Sequence, residues 1–213
     1  MLVSNAASGV LKPVLELTER HWNWAMDINA RALLSLVQHA LPLMKEGGRV
    51  IAVSSLGSVR AIENYTTVGA SKAAMESLVR HLAVELGPRG IRVNTVSAGA
   101  VDTDALKKFP NREIILENAL KRTPLGRLIT TDDVADVTLF LCSNLSNMIQ
   151  GQVVTVDGGI VTVGCEGMAS AGPDLMALMT GSEGMLGVVT EVTVRLLPEP
   201  PHLQVVLASF DEL

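Results

Sequence analysis

Asn64-Tyr-Thr-Thr-Val-Gly-Ala-Ser-Lys72 sets a phenol, Tyr65, seven residues before an ammonium, Lys72, and Tyr65 itself follows Ser55 by ten residues. Seven residues is close to two turns of α-helix, so the two groups share one helix face and can reach a single bound molecule. The pattern predicts a helix over residues 65–86, closed by Gly87-Pro88. Its apolar residues Val68, Met75, Leu78, Val79, Leu82 and Leu86 recur at helical period and form a core stripe, not a binding surface.

Working outward, Leu2-Val3, Arg49-Val-Ile-Ala-Val53, Arg92-Val-Asn-Thr-Val96 and Gln152-Val-Val-Thr-Val156 are short and rich in β-branched residues. They read as strands buried on both faces. Helical stretches separate them. Thr18 can cap a helix over residues 18–45, with Pro42 making its last turn irregular and Gly47-Gly48 ending it. A shorter helix is expected over 112–121. Another begins near Thr131-Asp132-Asp133 and carries Val134, Val137, Leu139 and Leu141. Strands alternating with helices predict an α/β fold built on a doubly wound, Rossmann-like parallel sheet.

Composition narrows the class. With 213 residues, 48% hydrophobic and 18% charged, the chain can bury one good core. A net charge of −5 without a basic cluster argues against nucleic acid or an anionic membrane as partner. No apolar run reaches the roughly twenty residues of a membrane span, and the start lacks the basic flank of a signal peptide, so a cytoplasmic location is expected. Cys142 and Cys165 lack zinc or redox spacing, and His21, His39, His81 and His202 lack metal spacing, so no metal site is expected.

The chain resembles the short-chain dehydrogenases/reductases and, within them, the enoyl-acyl-carrier-protein reductases. Ordinary members set their tyrosine four residues before the lysine, which here is Val68; the enoyl reductases move it back a turn, as at Tyr65. Ser55 stands at the ordinary family's serine. Asn5-Ala-Ala-Ser-Gly-Val-Leu-Lys-Pro13, Ser54-Ser-Leu-Gly-Ser-Val-Arg60 and Thr103-Asp-Ala-Leu-Lys-Lys-Phe-Pro110 are similar to the NADPH-dependent third bacterial type. The likeness runs over about residues 2–160.

The resemblance implies catalytic roles for Tyr65, Lys72, Ser55 and Asn29. Hydride arriving at the β-carbon of an enoyl thioester pushes charge onto the carbonyl oxygen, where a phenol can stabilise it by hydrogen bonding and proton donation. Lys72 would favour the ionised phenol and hold a ribose hydroxyl. Ser55 marks the substrate side. Asn29 helps hold a proton relay, although it can equally satisfy backbone at a helix irregularity. Cofactor contacts are implied for Asn5, Ala6, Lys72, Gly99, Val101 and Thr103, with Ala98 replacing a proline often found in that loop. The implied substrate is a small-molecule or carrier-protein-bound acyl group in fatty-acid synthesis, and the implied assembly a homo-oligomer packed through the helices at 18–45 and 65–86.

The expected phosphate-gripping Gly-rich turn between a first strand and helix does not precede Leu2, so the chain reads as lacking the N-terminal nucleotide-binding half, with NADPH affinity weakened. A boundary is expected near Gly159. It separates a reductase domain, 1–160, from an appendage, 161–213, whose runs 188–197 and 203–208 read as strands; these, or a second copy of the chain, are expected to cover the open edge at Leu2. Residues 172–213, with Gly181-Ser-Glu-Gly-Met-Leu-Gly-Val-Val-Thr190, resemble part of the FAD-linked oxidases of the glycolate oxidase D-subunit kind, too little of that domain to bind FAD. Two other functions stay open: an ester hydrolase using Ser55, Tyr65 and Lys72, and an inactive oligomeric scaffold.

Overall fold

The computed structural model describes residues 1–44, 47–104, 106–109 and 111–159, all within the compact unit Met1–Val161. The expected appendage and its strands lie outside the described residues.

Four strands form one sheet in the order β1 (Leu2–Ser4), β2 (Arg49–Ser55), β3 (Arg92–Ala98), β4 (Val153–Val156), every neighbouring pair parallel. The register runs Leu2 opposite Val50, Ser55 opposite Ala98, and Ala98 opposite Val156. The carboxyl ends of the strands therefore open on one edge of the sheet, where open α/β folds bind ligands. Burial on both faces holds for β2 and β3 only. β1 and β4 are the outermost described strands, and Val3 and Val153 are exposed.

Helices cover both faces. α1 (Glu19–Met26) precedes α2 (Ala32–Ala40) and α3 (Thr66–Leu86), and on one face Leu33 and Val37 of α2, Met75, Val79 and Leu82 of α3 and Ala30 from the turn between α1 and α2 pack against Val50, Ala52 and Val93. On the other face α5 (Thr131–Cys142) packs Val134, Val137 and Leu141 against Ile51 and Val96. α4 (Arg112–Arg122) follows the loop leaving β3. Leu139 departs from expectation, being exposed: Val137 and Leu141 are four apart and share the inward face, whereas Leu139 lies about 200° round from each.

The helix expected over 18–45 runs as four successive segments. Thr18 caps α1, its hydroxyl accepting from the His21 amide while His21 Nδ1 accepts from the Thr18 amide. Residues Asp27–Arg31 then form a π-helical turn, and Leu41–Leu43 a 3₁₀ turn around Pro42. The extra residue in a π-turn rotates the downstream face, and such turns mark functional sites more often than chance. No described helix is long and apolar enough to cross a membrane.

Leu33→Ala, at a fully buried position, is expected to cost about 2–5 kcal/mol in urea denaturation, and Leu139→Ala no more than about 0.5. Equal costs would contradict this division of faces.

Candidate active site

Three consecutive residues of β2 each hold one residue of α3 or its cap. The Lys72 ammonium donates to the Val53 carbonyl at 2.6 Å. The Ser54 hydroxyl donates to Glu76 Oε1 at 2.5 Å. Ser55 Oγ and Tyr65 Oη share a hydrogen bond at 3.2 Å. Lys72 and Glu76, one helical turn apart, are both buried, at 6% and 4% exposure. Burial pushes the Lys72 ammonium down to about 8, with Glu76 acting in the opposite direction.

Tyr65 is not the first residue of the helix but its N-cap, with φ −109° and ψ 10°. Asn64 before it is left-handed at φ 60°, a conformation asparagine tolerates better than most residues. The Asn64 carbonyl accepts from the Lys12 amide at 3.2 Å, tying this turn to the loop after β1. The phenol ring lies on a flat glycine seat: a Cβ at Gly57 would meet its Cε1 at 2.4 Å. A Cβ at Gly69 would meet the Gly57 carbonyl oxygen at 2.6 Å, so the loop after β2 needs both glycines to close on α3. Phe109 packs near the ring, centroids 6.0 Å apart. A cleft of about 260 Å³ opens beside the ring, lined by Ser58, Arg60, Ile62, Tyr65 and Ala73. A larger hollow, about 430 Å³, lies along α1 and contains none of the expected site residues.

Asn29 sits buried in the π-turn with its amide fully used. Oδ1 accepts from the Ser8 amide at 2.9 Å, and Nδ2 donates to the Ser8 carbonyl at 2.7 Å and to Ser71 Oγ at 2.9 Å. Ser71 in turn donates to the Val68 carbonyl. The side chain thus clasps the loop after β1 to α3, which is the backbone-satisfying role expected as the alternative to a proton relay. Trp24 Nε1 adds a bond to Ser8 Oγ, and a Cβ at Gly9 would strike Val68. Asn5 and Ala6, at the start of this loop, are exposed.

On the neighbouring strand, Ser97 and Ala98 end β3, and the Gly99 amide donates to the Val156 carbonyl at 2.8 Å. A Cβ at Gly99 would sit 3.0 Å from Asp157, so glycine permits this close approach to the segment after β4. Val101 and Thr103 follow in an irregular loop. Its next turn is pinned by Arg112, whose Nε and Nη2 donate to the two Asp102 oxygens at 3.1 and 2.6 Å.

The expected residues are therefore distributed along one edge of the sheet: Asn5 and Ala6 after β1, Ser55 and Tyr65 at β2, and Gly99, Val101 and Thr103 after β3. Lys72 lies one layer deeper. Ser54, Asn64, Phe109 and Glu76 were not singled out from sequence. The signals available were Glu76 standing four residues after Lys72 and an asparagine directly before the tyrosine.

The donor set suits the ribose end of a nicotinamide dinucleotide. Among the described residues the Lys72 ammonium has Val53 O as its one hydrogen-bond acceptor, leaving protons for sugar hydroxyls. The phosphate end is a poorer match. Among the described residues no Gly-rich turn joins a strand to a helix N-terminus, since the segment after β1 runs through a loop into the 3₁₀ turn Val14–Glu16. No cluster of metal-binding side chains occurs among the described residues.

A parallel sheet with Tyr65 and Lys72 both brought to the end of β2 is the arrangement that the resemblance to short-chain reductases implies. Residues 1–161 match the family model described as Enoyl-(Acyl carrier protein) reductase, and the chain belongs to that family. It is 41% identical over 175 residues to 1-cyclohexenylcarbonyl-CoA reductase of Streptomyces collinus, covering 81% of this chain and 62% of the relative. It is 36% identical over 155 residues to the NADH enoyl-[acyl-carrier-protein] reductase FabI of Aquifex aeolicus, covering 72% and 57%. Among solved structures, the NADH enoyl-[acyl-carrier-protein] reductase of Aquifex aeolicus superposes with a TM-score of 0.66 at 32% identity, over 75% of this chain and 65% of that one. The angucycline C-6 ketoreductase LanV with bound NADP gives 0.68 at 34%, over 74% and 61%. The chain spans about three fifths of the length of the curated relatives it matches.

Two outcomes test the site's geometry. Gly57→Ala is expected to destabilise by about 1–3 kcal/mol, and the cost to vanish in a Tyr65→Ala background, because the ring is what the new methyl meets. An undiminished cost in that background would contradict the seat. The second concerns pH. The folded chain releases the Lys72 proton near pH 8 and the unfolded chain near 10.5. The unfolded state therefore binds more protons between those values, and stability rises with pH across that window. Relative to the native chain, Lys72→Met is expected to lose an advantage of about 2–3 kcal/mol between pH 7 and pH 10 in urea melts. A difference independent of pH would contradict a buried ammonium.

Proposed function

We propose that the chain carries the catalytic residues of an enoyl-thioester reductase that uses a reduced nicotinamide dinucleotide. The observation that supports this best is the anchoring of Tyr65 and Lys72 to positions two residues apart at one strand end, Ser55 and Val53. When bound, the reduced nicotinamide supplies the hydride to the β-carbon of the acyl chain. The chain's own part is electrostatic. Tyr65 donates a hydrogen bond, then its proton, toward the thioester oxygen as negative charge builds there. The Ser55 hydroxyl orients the phenol. Lys72, beneath it, offers its remaining protons to the ribose and its charge to the phenol. Phe109 and the glycine seat exclude water from one side of the ring.

In the same reading Asn5, Ala6, Gly99, Val101 and Thr103 border the cofactor, and Asn29 acts by holding the Ser8 loop against α3. The substrate is an acyl group carried by acyl carrier protein or coenzyme A, after the activities for which the relatives are named. The sequence resemblance favours NADPH, while the FabI relatives are named for NADH, so both dinucleotides belong in the assay. Residues 1–160 are taken as the reductase domain and 161–213 as an appendage resembling part of a flavoprotein. A cytoplasmic homo-oligomer completes the proposal.

The alternative as an ester hydrolase has less support. The group beside the Ser55 hydroxyl is a phenol, and the lysine is engaged with the Val53 carbonyl one layer away. The reading is tested by following NADH and NADPH absorbance with crotonyl-coenzyme A and the full 213-residue chain. Turnover that falls about 100-fold or more in Tyr65→Phe is expected. Absence of dinucleotide binding at millimolar concentration, or equal turnover by Tyr65→Phe, would overturn it. Hydrolysis of a nitrophenyl ester that is lost in both Ser55→Ala and Tyr65→Phe would favour the hydrolase instead.

A further inference from the structure

Glu76 is a buried carboxylate that the proposed chemistry does not use. It lies one turn beyond Lys72 on α3, with 4% of its surface exposed and the Ser54 hydroxyl as its hydrogen-bond donor. Such a group is costly to bury unless its charge acts on a neighbour. Lys72, equally buried, donates to a neutral carbonyl, and among the described residues its charge has no ion pair within 4.0 Å. The two burials offset one another along one helix face, and Ser54 fixes the carboxylate from the strand that also receives Lys72.

We propose that Glu76, oriented by Ser54, is a positioning residue that keeps Lys72 protonated inside the seam between α3 and β2. The role is exerted through Lys72 and touches neither substrate nor cofactor. Its catalytic consequence rests on the reductase reading above; the proton held by Lys72 does not.

The surroundings leave Glu76 as the charge that acts on Lys72. β2 contributes the Val53 carbonyl and the hydroxyls of Ser54 and Ser55, with Arg49 at its opposite end. β3 bears Arg92 at that same far end. The π-turn packed on α3 carries Asp27 and Arg31, which pair with each other at 3.0 Å on the exposed side. α1 carries Glu19, Arg20 and His21, none of them buried. On α3's own side Tyr65 faces Ser55. Burial lowers the proton affinity of Lys72, and Glu76 is the electrostatic influence that raises it.

The test reads Lys72 directly. Competitive labelling with acetic anhydride, followed by mass spectrometry of the Lys72 peptide, gives the pH at which this amine loses its proton in the full chain. In Glu76→Gln the midpoint is expected to fall by about one pH unit or more, and Glu76→Asp, which restores a carboxylate, to recover most of that shift. Should the glutamine variant not fold, Ser54→Ala/Glu76→Met removes donor and acceptor together, a change that leaves no buried polar group unpaired. It is expected to shift the midpoint in the same direction. An unchanged midpoint in a folded variant overturns the proposal, whatever the variants do to stability. A chain that turns over no enoyl thioester but shows the shift overturns only the reductase reading. In a chain that does turn over, the basic limb of the pH profile moves with the Lys72 midpoint.

Discussion

An ammonium buried between a helix and a strand is the constraint on which the rest of this fold depends. Lys72 donates a hydrogen bond to the Val53 carbonyl, a backbone atom that cannot move without disturbing the centre of the sheet. A buried charge with one neutral acceptor is unfavourable in isolation, and the seam survives because the surrounding apolar burial is large. Met75, Val79 and Leu82 on the same helix lie against Val50, Ala52 and Val93. The apolar stripe thus offsets a polar arrangement that stability alone would not select.

Function follows from what that seam does to its upper end. With Lys72 held at residue 53 and Glu76 at 54, the start of α3 has little freedom, and Tyr65 meets Ser55 at the carboxyl end of β2. The loops that close over this edge are held from both sides. Asn29 fixes the Ser8 backbone through two hydrogen bonds, and the Gly99 amide is pinned to β4. The π-turn is what turns Asn29 inward, since an unbroken helix from Glu19 to Ala40 would present a different face to Ser71. Membership of the enoyl reductase family fits this arrangement, because the tyrosine one turn earlier than in ordinary relatives becomes the cap of α3, its carbonyl accepting the first bond of the helix from the Gly69 amide at 2.7 Å while its phenol turns to Ser55.

Much of this was legible in the chain itself, for physical reasons that differ by element. β2 and β3 announce themselves because central strands need apolar residues on both faces, and the stripe on α3 because its period is helical. Thr18 is readable as a cap because its hydroxyl competes for the same amides a helix leaves unpaired. The π-turn left no such mark, since one inserted residue changes no local propensity. Asn64 in a left-handed conformation depends on the loop it meets, through Lys12, and Glu76 reads as a surface residue until Ser54 is known to face it. Leu139 looked like core because a count of apolar residues on a short helix does not say which face they share. Distant partners decide each of these cases, and spacing along the chain does not contain them.

Native-state hydrogen exchange tests the central claim, that α3 and β2 form one clamped unit, most directly. The account predicts that amides of residues 69–76 and those of residues 50–55 exchange through the same opening, with one free energy and one dependence on denaturant. It would be contradicted if the first turns of α3 opened separately at markedly lower free energy while β2 stayed protected, because Tyr65 and Lys72 would then have no fixed relation to the strand end that is meant to aim them.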